Sequence, residues 1–409
     1  MTVSRVSSER GAIIIQVLVG FLVMTAFLMF VVDYGVKWVS RNQAQNSADA
    51  GALAGVVALA YDNYTDRTDS GPAKVSARQV ALSNLVFGEA PDVNIATDIT
   101  FPTCPDGTDG CIRVDVYRNQ ARNNPLPLWF GTLVGLTSQG VRATATAQTA
   151  IGDTSDCLKP WAVVDKWEQH WEEDAPDTTW TPTSEFDKYD KFGNPDPDVL
   201  DPDVYVPPSI SSPGTGFRPY DANGYTADYG REITLKVGSN SDFEYATGWF
   251  RALAITDKTG GKVYENNIKG CIGIGYKIGD ELEIDTEPGD KVGPTKQGVE
   301  TDEDSLINQD PDAYWNPDLN DGRGGVAGSM YKTSPRIVAI PLINPELATE
   351  ANKGGRTTVP IANIMGFFVE GMDGKDVRGR LVTIPNLKSS GSPQIGQESA
   401  FSRLIRLIR

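Results

Sequence analysis

The sequence has a single histidine and lacks the common motifs of catalytic sites. It contains no G-x-S-x-G, no H-E-x-x-H and no P-loop. His170 stands in the acidic run KWEQHWEE without an evident nucleophile, and such a histidine is more often a surface or packed residue than a general base. An Asp/Glu pair acting on a glycan stays open, because sequence does not reveal how carboxylates are spaced. These absences favour a non-enzymatic protein.

Positive charge is scarce relative to negative charge. The chain has 37 Lys and Arg against 54 Asp and Glu, which gives a formal net charge of −17. Because binding to phosphates needs a basic face, this balance excludes nucleic acid as a partner. The acidic excess suits a protein that stays soluble in a crowded envelope or surface compartment.

Cysteine is limited to four residues, an even number that fits two disulfides. Cys104 and Cys111 flank the turn-rich PDGTDG between two strand-like runs, and their spacing predicts a disulfide across a hairpin. C-x6-C is not a zinc spacing. By elimination, Cys157 pairs with Cys271. Two disulfides predict an oxidising compartment, outside the cytoplasm, for the C-terminal part of the chain.

Apolar residues are concentrated near the N-terminus. The run GAIIIQVLVGFLVMTAFLMFVV, residues 11–32, carries no charge, and its length matches the hydrocarbon core of a bilayer. A cleaved secretory signal has a shorter apolar region, which ends at a small-residue cleavage site. We therefore predict an uncleaved transmembrane helix over 11–33 and a cytoplasmic segment over 1–10. Basic residues flank both ends of the span, so the predicted orientation rests on the cysteines.

The helical pattern continues past the span. Residues 36–60 lack proline, and small residues recur at intervals of three or four, which places them on one face of a helix. This small-residue stripe consists of Ala44, Ala48, Gly51, Gly55 and Ala58. Small faces let a neighbouring backbone approach closely, so we expect the stripe to be a packing surface, either within this chain or against another helix.

The rest of the sequence predicts an α+β protein. Residues 34–150 indicate a helix and a small α/β unit, with a helix over about 72–87, strands over 93–101, 111–118 and 141–148, and a short apolar helix over 125–136. Residues 151–386 contain short apolar or alternating runs separated by Pro/Gly/Asp/Asn loops, two of them long, which indicates a β-rich domain. Residues 387–409 are predicted to be a linker and a basic amphipathic tail.

The segment SERGAIIIQVLVGFLVMTAFLMFVVDYG and the following RNQAQNSADAGALAGV resemble the N-terminus of the TadE/TadG-like family of tight-adherence (Flp) pilus assembly. In that family a transmembrane helix is followed by Asp and Gly and then by a Gln-Asn-Ala-Ala-Asp-Ala-Ala-Ala-Leu-Ala-Gly-like run. The matching positions here are Asp33, Gly35, Gln45, Asn46, Ala48, Asp49, Ala50, Leu53, Ala54 and Gly55. The resemblance implies a membrane-anchored, pilin-like or pilus-associated protein without an established enzymatic activity.

The sequence departs from two motifs found in related proteins of this system, a metal-binding motif and a cleavage site. The Asp-x-Ser-x-Ser metal motif of von Willebrand factor A domains, common in long TadG-type proteins, is approached only at Asp153–Cys157 and fails at its last position. Pilin precursors of this system are cut after a Gly with Glu at the fifth mature position, but Gln16 follows Gly11 at that position. We therefore predict no such domain and retention of the full N-terminus.

Two acidic loops offer the oxygen ligands that calcium prefers. The first loop supplies Asp187, Asp190, Asn194, Asp196 and Asp198. The second loop supplies Asp318, Asn320 and Asp321. Neither loop has the EF-hand spacing, which needs a Glu at the twelfth position. A calcium site is one interpretation, and a solvated acidic loop is the other.

Tryptophan also allows two interpretations. Trp161, Trp167, Trp171 and Trp180 lie close together in sequence, as in a carbohydrate-binding platform. Core or interface packing is the alternative, because tryptophan buries a large apolar area wherever it can.

Together these observations predict a non-enzymatic, single-pass protein of the bacterial inner membrane with a periplasmic or extracellular C-terminal domain. Its predicted role is that of a structural or assembly component of a Flp/Tad-type pilus or secretion system. The alternative is a surface adhesin or glycan-binding module on a pilin-like anchor. The expected partners are the membrane and pilus-assembly or pilin-like proteins. No cofactor is expected, and calcium is the alternative that the acidic loops raise.

Overall fold

Helix α1 (Arg10–Tyr61) runs for 52 residues without interruption. The computed structural model in which it is seen describes residues 10–170, 180–189, 194–221, 224–237, 248–256, 259–284, 291–347, 357–385 and 387–408. At a rise of 1.5 Å per residue, the helix is about 78 Å long. The prediction of one continuous helix from the apolar span to about residue 60 is confirmed.

The remaining helices are short, and the strands range from two to 17 residues. The other helices are α2 (Pro72–Ser83), α3 (Gly261–Lys269), α4 (Val292–Lys296), α5 (Leu306–Gln309) and α6 (Leu319–Gly322). The strands are β1 (Ile99–Thr100), β2 (Cys111–Arg118), β3 (Val141–Ile151), β4 (Thr154–Ser155), β5 (Trp161–Val164), β6 (Tyr220–Asp221), β7 (Gly224–Tyr225), β8 (Glu232–Val237), β9 (Trp249–Ala252), β10 (Tyr276–Lys277), β11 (Glu281–Ile284), β12 (Tyr314–Asn316), β13 (Gly325–Ala327), β14 (Ile337–Ile343), β15 (Thr357–Asp373), β16 (Asp376–Val382) and β17 (Arg403–Ile408).

The chain divides into two units. Unit 1 holds the residues up to Leu59, Asp66–Gln148 and the C-terminal residues from Ile405. Unit 2 holds Ala60–Thr65 and Thr149–Leu404.

A four-stranded sheet with the order β1-β2-β3-β17 forms the β layer of unit 1. Strand β2 pairs antiparallel with β3, and Val114 lies opposite Ala145. Ile112, Val114 and Val116 are fully buried, in agreement with the alternation predicted for this strand. The sheet thus presents an apolar face on which helices can pack.

The prediction of an apolar helix over 125–136 is wrong. Most of this segment has no regular structure, and a short 3-10 turn covers Gly131–Val134. Pro127 disfavours the helical conformation at the preceding residue, and Gly135 ends the turn with a positive φ of 82°. The segment is therefore an apolar loop rather than a helix.

Two further elements of unit 1 are shorter than predicted. The strand expected over 93–101 is reduced to β1, because Asn94 and Asp98 form a local turn in which the Asp98 carboxylate accepts the Asn94 N–H at 2.8 Å. Helix α2 ends at Ser83, where the Asn84 side chain donates to the Val80 carbonyl at 2.8 Å.

The end of the predicted basic tail is part of a sheet. Residues 403–408 form β17, which lies next to β3 at the end of the sheet. The Arg406 guanidinium donates to Gln148 Oε1 at 2.9 Å and 3.2 Å. An unpaired sheet edge exposes backbone donors and acceptors, and β17 satisfies those of β3.

In unit 2, the described residues form a seven-stranded mixed sheet that closes on itself. Its order is β11-β15-β14-β5-β9-β8-β16, and β16 also pairs with β15. Closure is possible because β15 has a partner on each side: Phe368 lies opposite Ile337 of β14 on one side and Arg380 of β16 on the other. The first residues of β15 pair with β11, which lies outside the closed ring. A closed sheet leaves few free edges, and the β-rich character predicted for this region is confirmed.

The structure contains both disulfides that the sequence predicts. Cys104 and Cys111 are joined across the turn that precedes β2, with their Cα atoms 5.5 Å apart. Cys157 and Cys271 are joined over a separation of 114 residues, with their Cα atoms 4.4 Å apart. A link across so long a stretch restricts the unfolded chain of unit 2 more than the short link restricts unit 1.

The small-residue stripe of α1 packs on α2 and β2 of the same unit. A Cβ atom on Gly51 would lie 2.9 Å from Ala81 Cβ, and one on Gly55 would lie 2.6 Å from Ile112 Cδ1 and 2.8 Å from Ala77 Cβ. These distances are shorter than normal van der Waals contact, so glycine permits a helix spacing that any larger residue would prevent. The other members, Ala44, Ala48 and Ala58, are buried.

We predict that Gly55→Leu destabilises unit 1. Overfilling the contact should lower its free energy of unfolding by about 1–3 kcal/mol. Hydrogen exchange of the α2 amides, measured by mass spectrometry on the full chain in detergent, should accelerate accordingly. Gly35→Leu is the matched control, because a Cβ on Gly35 has no atom within 4 Å. Unchanged exchange in Gly55→Leu would contradict the close packing.

Candidate functional site

The first half of α1 is apolar and exposed. Helix α1 has the length and composition needed to cross a membrane, with a mean hydropathy of 2.6 over its most apolar window and none of that window buried. Large side chains such as Phe21, Met24 and Phe27 point away from the protein. An apolar surface of this size on one helix fits a lipid environment better than water.

The character of the helix changes at residue 33. Tyr34 and Trp38 are exposed. Each is followed about one turn later by an exposed cationic residue, Tyr34 by Lys37 and Trp38 by Arg41. Tyrosine and tryptophan are enriched where membrane meets water, and lysine and arginine extend their charged ends towards the headgroups. This belt marks the C-terminal end of the apolar span.

Asp33 ties the helix to a distant segment of unit 1. Its carboxylate accepts the backbone N–H groups of Trp129 at 3.0 Å, Phe130 at 3.0 Å and Gly131 at 2.6 Å. These donors lead into the 3-10 turn at Gly131–Val134, whose first N–H groups have no partner within the turn. The acidic residue that ends the span is therefore a capping residue for this turn.

Polar side chains of α1 hold the next segment of unit 1. Ser47 Oγ donates to the Ala81 carbonyl at 2.8 Å, and Gln43 Oε1 accepts the Phe87 N–H at 2.6 Å. Gln45 donates to Asp49 at 2.8 Å and to the Thr144 carbonyl at 3.1 Å. The helix is thus fixed to α2 and to the sheet by hydrogen bonds as well as by close packing.

These features fall within one recognisable segment. Residues 11–58 match the model of the Flp pilus-assembly TadE/G-like family. The resemblance drawn from the sequence is thereby confirmed for the N-terminal region. Comparison with curated proteins and with solved structures gave no match.

The TadE/G-like segment begins in the exposed span and ends in the buried stripe. It includes Asp33, whose capping role the sequence did not reveal, together with Gly51 and Gly55. The feature of the sequence that could have pointed to a role for Asp33 is its position as the first charged residue after the apolar run. The match links this segment of the chain to Flp/Tad pilus assembly.

A cationic cleft of about 520 Å³ opens between the TadE/G-like helix and the sheet. Arg41, Arg113 and Arg142 line it. Asp115 balances part of this charge through ion pairs to Arg113 at 3.2 Å and Arg142 at 2.9 Å. Burial alone would raise the pKa of Asp115, but hydrogen bonds from Thr144 and the two arginines outweigh it and lower that pKa.

In unit 2, Asp165 is fully buried and organises three segments. Its Oδ1 accepts the N–H groups of Lys166 and Phe217, both at 2.8 Å, and its Oδ2 accepts the Tyr205 hydroxyl at 2.9 Å. Burial outweighs these hydrogen bonds and raises the pKa of Asp165 to about 6. Its carboxylate oxygens are occupied by structural partners, which fits a structural role.

Lys159 is a second buried ionisable group of unit 2. Its ammonium donates to the Gly270 carbonyl at 2.9 Å, beside the Cys157–Cys271 disulfide. Burial lowers the pKa of Lys159 to about 7. This lysine also has a backbone partner, so its altered pKa follows from its place in the fold.

His170 lies beside a buried carboxylate of the acidic loop. Asp203 accepts the N–H groups of His170 and Asp187, both at 2.8 Å, and burial raises the pKa of Asp203 to about 6. The His170 ring nitrogen Nδ1 lies 3.0 Å from Asp201 Oδ1, and this hydrogen bond raises the pKa of His170. The ring and the backbone N–H of His170 thus both have carboxylate partners in the loop, which fits the structural alternative considered from the sequence.

Among the described residues, the calcium ligands predicted for the first loop do not form a metal-binding group. Asp190 lies outside the described residues. Asp187, Asn194 and Asp198 are exposed, and Asp196 accepts the Asp198 N–H at 2.9 Å. Within the described residues, no group of three or more His, Cys, Asp or Glu side chains is arranged to hold a metal ion. Calcium binding remains a prediction.

The second predicted calcium loop is folded by its own hydrogen bonds. Asn320 donates to the Gly324 carbonyl at 2.8 Å, and the Asp318 N–H donates to Asn316 Oδ1 at 3.0 Å. The side chain of Asp321 lies outside the described part of the structure.

The tryptophans that suggested a carbohydrate platform are mostly in the core. Trp161, Trp167 and Trp180 are buried, whereas Trp171 lies outside the described residues. Trp167 and Trp180 pack edge to face with their ring centroids 6.3 Å apart. Buried rings are not available to a sugar.

Removing the Asp33 cap should release the segment that it holds. Asp33→Ala leaves three N–H groups without their acceptor, and we expect faster hydrogen exchange at Trp129, Phe130 and Gly131 together with a loss of about 1–3 kcal/mol in the stability of unit 1. Asp49→Ala is the control, because its partner Gln45 lies elsewhere on α1. Equal exchange at residues 129–131 in both variants would show that the cap has no structural role.

The buried Asp165 predicts a pH-dependent stability. Because its pKa is raised in the folded state, its protonated form contributes stability below about pH 4 that is lost as the pH rises through about 6. Asn at this position keeps the Oδ1 acceptor without a charge. The free energy of unfolding of Asp165→Asn minus that of wild type should therefore increase by about 2–3 kcal/mol as the pH rises from 4 to 7.

Urea denaturation followed by tryptophan fluorescence measures this difference. Asp318→Asn is the control, because that side chain is exposed, and its stability should follow that of wild type at every pH. If the stability of Asp165→Asn also changes with pH as that of wild type does, burial does not penalise the ionised form of Asp165, and the prediction is wrong.

Proposed function

We propose that this chain is a non-enzymatic, membrane-anchored component of a Flp/Tad-type pilus-assembly or secretion system. One observation carries the proposal: the matched segment, residues 11–58, contains both the exposed apolar span and the small-residue stripe that fixes unit 1 to it. In this arrangement α1 displays a folded unit at a set distance from a membrane. Such a part suits a structural or assembly role.

The proposed location is the bacterial inner membrane, with the residues that follow the span, in both units, outside the cytoplasm. Two disulfides support this orientation, because disulfides persist in oxidising compartments. They lie one in each unit, on the C-terminal side of the span. The proposed partners are the membrane and pilus-assembly or pilin-like proteins.

The chemistry of unit 2 supports a role without catalysis. Asp165, Lys159 and Asp203, which are buried and have altered pKa values, are each bonded to backbone groups of the fold. Acidic side chains on the surface keep the chain soluble and suit an envelope compartment.

Complementation tests the proposed function. In cells that assemble the pilus, deletion of this chain should abolish pili, and expression of the wild-type chain should restore them. A version in which residues 11–33 are replaced by a cleavable secretory signal should be exported but should not restore pili. Normal piliation in the deletion strain would overturn the proposal.

Protease protection tests the proposed topology. With an epitope at each terminus, the C-terminal epitope should be cleaved in spheroplasts while the N-terminal one is protected. Binding of an external glycan or receptor by the released chain, with unchanged piliation, would instead identify an adhesin.

A further inference from the structure

A charge-free loop of unit 1 is held at the exit of the apolar span. This exit loop, Leu126–Leu136 (LPLWFGTLVGL), lies between Arg122 and Arg142, and no residue between these arginines carries a charge.

Hydrogen bonds set the level of this loop along α1. The N–H groups of Trp129, Phe130 and Gly131 lie within 3.0 Å of the Asp33 carboxylate. A span over 11–33 rises about 35 Å, slightly more than the roughly 30 Å hydrocarbon core, which puts Asp33 in the interfacial layer. The middle of the exit loop lies at the same level.

The loop exposes large apolar side chains at that level. Trp129 is 53% exposed and Leu136 is 55% exposed. Tyr34 and Trp38 of α1 are exposed within the next turn or two of the helix, and Lys37 adds a positive charge suited to anionic headgroups. The exit loop therefore continues the aromatic belt of α1 onto a second segment of unit 1.

We propose that the exit loop is a second membrane contact, inserted into the interfacial layer of the leaflet from which α1 emerges. Trp129 is its anchor, because tryptophan places an apolar ring in the acyl boundary while its N–H stays hydrated. The inference rests on the proposed function only in requiring that α1 span the bilayer. Its occupant is lipid, because the loop is continuous with the lipid-facing surface of α1.

A two-point attachment has a structural consequence for unit 1. A single helix can rotate about its axis in a bilayer, and its tilt is set by interfacial anchors. A loop inserted beside the helix favours one rotation. The part of unit 1 outside the membrane would then keep one orientation about the axis of α1, so that the same face is available to neighbouring proteins in the membrane.

Depth-dependent fluorescence quenching tests the contact on the full chain. Single cysteines at Trp129, Phe21 and Val75 are labelled with an environment-sensitive fluorophore, while the four native cysteines stay oxidised. The protein is reconstituted into vesicles of phosphatidylethanolamine and phosphatidylglycerol that contain lipids spin-labelled near the headgroup or deep in the acyl chain. Val75 is the matched control, because it is 43% exposed on α2, whose contacts with Gly55 put it about 33 Å beyond Asp33.

The inference predicts a specific pattern. The label at Trp129→Cys should be quenched several-fold more by the shallow spin label than by the deep one, the label at Phe21→Cys should show the reverse, and the label at Val75→Cys should be unaffected by either. A label at Leu136→Cys should repeat the shallow pattern, which guards against a local effect of removing the tryptophan ring.

The failures of the two proposals are distinguishable. If the Phe21 label is not quenched by the deep probe, α1 does not span the bilayer and the proposed anchor is wrong. If the Phe21 label is quenched but the labels at 129 and 136 behave like that at 75, the exit loop is outside the lipid and the further inference fails. A blue-shifted emission at 129 without lipid quenching would show a protein partner instead and would equally overturn it.

Discussion

The close contact between α1 and α2 is the interaction on which unit 1 depends. Glycine at positions 51 and 55 lets α1 approach Ala77, Ala81 and the sheet residue Ile112 more closely than any larger side chain permits. Glycine costs a helix about 0.8–1 kcal/mol relative to alanine, and the packing gained offsets that cost. Because α1 is continuous, the same contact also fixes unit 1 to the apolar span.

One helix thus passes through two environments, and its side chains change at Asp33. Before this residue the exposed surface is apolar. After it one face is buried against the protein, while the other carries the aromatic belt and then mostly polar side chains. Asp33 itself serves the fold, because its carboxylate replaces the missing acceptors at the start of a 3-10 turn. An acidic residue at this point satisfies the turn and also ends the apolar run.

Unit 2 is built on a different principle. Its sheet closes because β15 pairs on both sides, and buried carboxylates then tie the loops to it. Asp165 and Asp203 each accept two backbone N–H groups from segments far apart in sequence, and burial raises the pKa of both. Their role explains how long loops are held without regular secondary structure.

Local patterns in the sequence were enough to determine the long helix, the alternation of β2 and the apolar span, because each depends on neighbours along the chain. The small-residue stripe was equally visible, since 3.6-residue periodicity needs no knowledge of the partner. What packs against it, and what Asp33 caps, depends on contacts between residues 18 to 98 positions apart, which no local pattern encodes. For the same reason the sequence predicts a helix over 125–136 and a tail where the C-terminal strand lies. Composition gives apolarity, but only the tertiary structure supplies the hydrogen-bond partner that decides the conformation.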